Sequence, residues 1–306
     1  MKRILILLTL LALPVQSFAK LNVVATLPEF AAIVQELGGD GVNVTSLTKA
    51  SQDPHYVDAK PSYVLAINRA DLLIINGLDL EIGWIPTLIV QARNPKVQIG
   101  QSGYLDASSL AAPILEIPTG TIDRSMGDIH PGGNPHYTRD PKRMLNVIRG
   151  IGERMMVLAP KQSTQIQANM NGLLNNVQTI LNTHQSKWAK LSPEERNLVE
   201  YHKSWSYLFE TLNITIPIRI EPKPGVPPSP GHVATVVQTI RSANVKLLIQ
   251  ESYLAARVME TVAKLTKTKH LIVESGPDFA AGERYTDYLE KLLNNFYDHA
   301  KFNKEQ

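Results

Sequence analysis

Residues 161–190 carry the longest unbroken pattern in the chain. Apart from Gly172 they hold no glycine or proline, and Ile166, Met170, Leu173, Leu174, Val177, Ile180 and Leu181 recur at spacings of three and four. That spacing lays apolar side chains along one stripe of a helix. A helix of about 30 residues rises roughly 45 Å, more than a usual globular helix. The segment is therefore expected to join two folded units rigidly. At 306 residues, the chain is long enough for each unit to bury a core of its own.

The sequence on either side alternates short apolar runs with helical spacing. Before the long segment, strands are expected at 20–27, 42–47, 71–76 and 97–100, and helices at 29–37, 60–70, 80–93 and 141–158. After it, strands are expected at 197–201, 214–220, 245–250 and 270–273, and helices at 207–212, 232–243, 254–267 and 285–302. Pro217 marks 214–220 as an edge strand, because proline has no amide to give a ladder. The five prolines within 221–230 make a stiff, extended loop. Alternation of this kind specifies an α/β fold: two similar lobes with parallel sheets flanked by helices, 20–160 and 191–306, joined by the 161–190 helix. A ligand cleft is expected between them.

The N-terminus reads Met1-Lys2-Arg3, then an apolar run over 4–15, then Ser17-Phe18-Ala19. A basic start, a short apolar core and small residues before the cut describe a secretory signal peptide, 1–19, too short for a membrane span. With no cysteine anywhere, the mature protein is expected to be periplasmic and free of a lipid anchor. Without Lys2 and Arg3 the formal charge of +3 falls to +1, and no Lys/Arg run remains to bind nucleic acid. The lack of thiolates also restricts any metal site to nitrogen and oxygen donors.

Residues 127–141, GDIHPGGNPHYTRDP, cannot be helix or central strand with this density of glycine and proline. A stiff loop bearing His130 and His136 loses little entropy when it meets a ligand. Eight histidines stand in the chain. His55 and His202 follow expected strand ends, His136 lies in this loop, and open α/β sheets gather ligands outside the carboxyl ends of their strands. Three imidazoles converging across a cleft, with a carboxylate from Glu274 at another strand end, make a four-coordinate set suited to Zn²⁺. Glu251, which also ends a strand, is the rival carboxylate. Asp53, Asp140 and backbone carbonyls are candidates to hold the second ring nitrogens. His184 and His299 are expected on solvated helix faces and His270 in a structural role. His232 belongs to a helix start, and His130 is either an alternate ligand, a loading shuttle or an ordinary loop residue.

At these residues the chain resembles the zinc- and manganese-binding solute receptors of bacterial ABC transporters. The resemblance rests on Asp53-Pro54-His55, Asn134-Pro135-His136 with Asp140-Pro141, Tyr201-His202 with Trp205 to Phe209, and Val273-Glu274-Ser275. It implies two α/β lobes on a rigid helix and a metal held by His55, His136, His202 and Glu274. It also implies a membrane permease as partner, a monomeric receptor, and no catalysis. The family's carboxylate is usually aspartate, so Glu274 adds a methylene. Where many zinc members carry a long His/Asp-rich loop, this chain has only Asp123, Asp128 and His130. Histidine at the third position resembles zinc-preferring members, with manganese the alternative cargo. A zinc hydrolase is the alternative class, disfavoured by the lack of HExxH. A nucleotide-binding role lacks its glycine-rich loop, and the adhesin role given to some family members is disfavoured by the missing lipidation cysteine.

Overall fold

The computed structural model describes residues 19–120 and 127–301. The expected signal peptide therefore lies outside the described residues, Ala19 excepted, as does Asp123. Two parallel sheets stand on either side of a long helix. The first has the order β2-β1-β3-β4, from β1 (Leu21–Ala25), β2 (Val42–Ser46), β3 (Leu72–Ile75) and β4 (Tyr104–Asp106). The second runs β5-β6-β7, from β5 (Leu198–Glu200), β6 (Leu247–Glu251) and β7 (Lys269–Val273). All neighbouring strands in both are parallel. The helices α1 (Pro28–Gly38), α2 (Pro61–Arg69) and α3 (Ile85–Ala92) belong to the first half. α6 (Ser206–Leu212), α7 (Pro230–Ser242), α8 (Arg257–Thr266) and α9 (Tyr285–Ala300) belong to the second. Between them lie α4 (Pro141–Leu158) and the long α5 (Ser163–Trp188).

Local chemistry sets these elements. The central strands are buried along their whole length, as a sheet covered on both faces requires: β3 reads Leu-Leu-Ile-Ile and β6 Leu-Leu-Ile-Gln-Glu. Edge strand β2 alternates in burial instead. Proline opens α1, α2, α3, α4 and α7 within their first turn, where its missing amide costs nothing. At α4 the Asp140 side chain caps the helix by accepting from the Lys142 amide.

The long helix lies against α1 and α4 on the first half and α6 and α9 on the second. One apolar cluster runs continuously from Val23 and Leu72 through Leu173 and Val177 to Leu198, Ile249 and Phe296. Two smaller clusters cover the outer sheet faces, one around Leu73 and Leu88, the other around Leu248 and Val262. The halves thus share their largest core instead of each closing on itself, because the inner face of each sheet is sealed by elements of the shared helical layer. Polar clasps add to it. Ser275 donates through its hydroxyl and its amide to the Ala50 carbonyl, and Tyr207 donates to the Asn134 carbonyl. Gly276 packs so closely on Glu29 that a Cβ there would strike its carboxylate.

Three expected elements differ. Residues 95–97 form a 3-10 turn, and the fourth strand is instead Tyr104–Asp106, whose single buried residue, Leu105, offers little apolar signal. Residues 214–220 form no strand: Thr215 makes an isolated bridge to Asn197, Pro217 interrupts the pairing, and it resumes only where the Ile220 amide donates to the Glu200 carbonyl. The helix at 80–93 begins only at Ile85, since Pro86 is tolerated in a first turn but not mid-helix. His184, expected on a solvated face, is buried within α5. Burial and the nearby Lys187 push its pKa down to about 4.

Candidate metal centre

The carboxyl ends of both sheets face a common cleft, and three histidines meet there. His55 lies in the loop after β2. Its turn is built by Asp53, whose Oδ1 accepts from the His55 amide at 3.0 Å and contacts ring Nδ1 at 2.7 Å. His136 repeats the device. Asn134 Oδ1 accepts from its amide at 2.9 Å and contacts Nδ1 at 2.8 Å. In both turns the intervening proline carbonyl is clamped, Pro54 by Trp84 Nε1 and Pro135 by Asn76 Nδ2. His202 follows β5, and its Nδ1 contacts Glu221 Oε2 at 2.7 Å.

These contacts define the tautomers. The Asn134 amide nitrogen donates to Glu116 Oε2 and to the Lys203 carbonyl, both at 2.9 Å, so its oxygen must face His136. An oxygen there requires a proton on Nδ1, which leaves the Nε2 lone pair free. The same holds for His55 against Asp53 and His202 against Glu221. Nε2 of His55 and of His136 is buried without a hydrogen-bond partner. One donor atom from each of the three histidines lies within 4.8 Å of the others, and the ring centroids are 5.1 to 6.0 Å apart. A tetrahedral zinc holds its nitrogens about 3.4 Å apart, so a small contraction would bring all three onto one ion.

Electrostatics treats His136 and His202 differently, holding the first neutral and surrounding the second with carboxylates that would also favour a divalent cation. Burial, then His202 and His55, holds the His136 pKa well below the usual imidazole value. Burial also opposes charge on His202, but the hydrogen bond and charge of Glu221, with Glu251 and Glu200, outweigh it and raise its pKa. Burial opposes ionisation of Asp53 as well, and its bonds to His55 prevail, so its pKa is lowered. Two carboxylates, Asp53 and Glu221, thus stand directly behind two rings.

Glu274, expected as the fourth ligand, is not brought to this cluster. Its side chain is exposed and accepts from Ser252 Oγ at 2.8 Å. The strand ends at buried Val273, and alternation turns the next side chain outward. The rival Glu251 is fully buried, with both carboxylate oxygens unpartnered. It lies close enough to influence His202 but outside the set of donor atoms within 4.8 Å. Asp140, a candidate support, instead caps α4 and pairs with Arg143 at 2.7 Å. His270 contacts Gln250, and His232 the Arg219 carbonyl. The supports that sequence reasoning missed are Asn134 and Glu221. The repeated Asx-Pro-His spacing could have shown the first, whereas nothing local marks the second.

The family described as "Zinc-uptake complex component A periplasmic" matches residues 23–299. The chain belongs to this family. Among curated relatives, the "Metal ABC transporter substrate-binding lipoprotein ScbA" of Streptococcus cristatus is 25% identical over 251 residues, 81% of this chain and 77% of the relative. The "Manganese ABC transporter substrate-binding lipoprotein scaA" of Streptococcus gordonii is 25% identical over 259 residues, 82% of this chain and 78% of the relative. Of solved structures, a crystal structure of ZnuA superposes with a TM-score of 0.74 at 19% identity, covering 92% of this chain and all of that one. The Mn-bound periplasmic metal-binding protein of Candidatus Liberibacter asiaticus gives a TM-score of 0.73 at 21% identity, with 92% of this chain and 100% of that one covered. These neighbours share the zinc-uptake family's α/β fold of parallel sheets and its long connecting helix.

The lipoprotein names of the relatives overturn the expectation of a periplasmic protein free of any lipid anchor. That expectation rested on an absence of cysteine, and an absence does not establish where a protein is held. Among the described residues, no helix is long and apolar enough to cross a membrane.

Proposed function

We propose that this zinc-uptake family member is the substrate-binding receptor of a metal ABC transporter, and that it captures Zn²⁺ and passes it to a membrane permease. The observation that carries the reading is the cluster of three imidazoles, one donor nitrogen from each lying within 4.8 Å of the others. His55, His136 and His202 are the proposed ligands. Imidazole suits zinc, whereas manganese favours oxygen donors, so zinc is the proposed cargo even though relatives such as scaA are named for manganese. Asp53 and Glu221 offset part of the ion's charge through the rings they hold.

Residues 20–160 and 191–306 are proposed to act as two lobes of a monomer, with 161–190 as the connecting helix. The shared apolar core and the clasps at Ala50 and Glu29 favour a small closure over wide hinge bending. Scattering with and without Zn²⁺ should differ little.

The deciding experiment is calorimetric titration of metal-free protein with Zn²⁺ and Mn²⁺, alone and in competition. One equivalent of Zn²⁺ should bind and resist displacement by Mn²⁺, and His136→Ala and His202→Ala should each weaken it by orders of magnitude. Unchanged affinity in both variants would sink the assignment. Three protein ligands leave a fourth coordination position, which a zinc hydrolase also needs. Ester or peptide hydrolysis by the zinc-loaded protein, abolished by His136→Ala, would favour that second reading.

A further inference from the structure

His55 belongs to two groups of potential ligands. Besides the inner set with His136 and His202, one of its donor atoms lies within 4.8 Å of donor atoms from Asp128 and His130. The His55 and His130 rings are 5.4 Å apart, and His55 Nε2 lies 3.9 Å from Asp128 Oδ2. Asp53 already occupies Nδ1. Only one lone pair of His55, on Nε2, therefore serves both groups, and one lone pair cannot bind two ions at once.

The two groups differ in their access to solvent. The Asp128 side chain is 35% exposed, whereas His136 and His202 are buried. Asp128, His130, His136 and His202 line a single cavity of about 240 Å³. The outer residues are held in place across the cleft. The Asp128 amide donates to the Pro224 carbonyl at 2.9 Å. Gly127, at φ +87, packs so closely on Pro224 that any Cβ would collide with its carbonyl. The Gly133 amide closes the turn onto the His130 carbonyl at 3.0 Å.

We propose that His55, Asp128 and His130 form an outer metal subsite that hands its ion to the inner one by ligand exchange around the shared His55 Nε2. The ion first binds Asp128, His130 and His55 at the rim. The bonds to Asp128 and His130 then break as bonds to His136 and His202 form, while His55 stays attached. Each step trades ligands without exposing a bare ion, and the carboxylate that attracts the cation at the rim is left behind. The path runs in reverse on release. The inference rests on the receptor reading above and adds the route by which the site fills.

The test uses Zn²⁺ alone as probe, on the full chain, by chelator competition. The H136A/H202A variant should still bind one Zn²⁺, more weakly than the unaltered protein, and adding D128N/H130Q should abolish that residue of binding. In the otherwise native chain, D128N/H130Q should slow capture of Zn²⁺ by about tenfold, the lower end of what losing a supporting group costs a metal site. His130→Gln alone should retain part of that slowing at high salt, where simple attraction by Asp128 is screened. Binding by H136A/H202A that survives D128N/H130Q overturns the proposal, as does an unchanged capture rate in D128N/H130Q. If the unaltered protein binds no Zn²⁺, the receptor reading fails. One tight Zn²⁺ with no dependence on Asp128 or His130 defeats only the outer subsite.

Discussion

His55 and His136 are held by turns of two residues' reach, and His202 by a carboxylate 19 residues away. In the first two, an Asx side chain binds the amide and the ring of the same histidine. His202 depends on residues 220 and 221 running beside 200 and 201, where the Ile220 and Glu221 amides donate to the Glu200 and Tyr201 carbonyls. A local turn is built wherever its few residues fold. A long-range support exists only after the second half has assembled. Two of the proposed ligands are thus preorganised by their own loops, and the third is placed by tertiary structure.

The largest effect tests the cluster as a whole. Dividing an apparent ~10–16 kcal/mol for a four-ligand zinc site among its ligands gives about 2.5–4 kcal/mol each, on the order of 70- to 900-fold in affinity. His136→Ala should lose that much by calorimetry, more than any change behind a ring.

Next in size is a pH effect on the side of the locally built turns. Glu81 is buried where it accepts from Thr26 Oγ1 and from the Asn76 and Gly77 amides, and Asn76 in turn clamps the Pro135 carbonyl. Burial pushes its pKa up from 4.5 to about 7, against those hydrogen bonds. The folded protein thus keeps a proton that the unfolded chain has already lost. Its stabilising share is complete below pH 4.5, falls as pH rises through about 7, and is level beyond. That fall amounts to up to about 3 kcal/mol. Urea midpoints across this range should decline with pH in the native protein and decline less steeply in Glu81→Gln, where buried Glu200, its pKa likewise raised to about 7, still contributes.

The supports themselves separate the two kinds of ligand. Glu221→Gln should weaken zinc binding by about 10- to 100-fold, because it removes the charge behind His202, and no local turn holds the neutral amide in the place of the carboxylate. Asp53→Asn converts the His55 turn into the form that Asn134 already provides for His136, and should lose less than about tenfold. Equal losses in the two variants would break the contrast between local and distant support. The smallest change lies in the loop that carries Glu221. Gly225 has φ +72 and donates its amide to Glu221 Oε2 at 3.2 Å. Gly225→Ala should cost about 1 kcal/mol in stability and weaken zinc only a few-fold. A thermal melt and a titration would check both.

Most of the architecture was legible. Proline-opened helices and fully apolar strands announce themselves within a few residues, so α1, α2, α4, β3 and β6 fell close to where their spacing placed them. β4 did not, because three residues with one buried side chain carry too little pattern. His184 was misread since a polar residue on an apolar helix says nothing of what packs over it. Glu274 shows the same limit at the site. Its place after a strand was readable, but the direction of its side chain depends on where that strand stops and which face meets the cleft.

From sequence alone came most of the strands and helices, the long helix between the halves, and the loops that carry His55 and His136, because each arises from interactions between residues near in the chain. Tertiary structure decided that the halves share one core, that Glu221 stands behind His202, that Glu274 points to solvent, and that Asp128 and His130 reach His55. Those outcomes depend on distances between segments far apart in sequence, and such distances exist only once the sheets and α5 have packed.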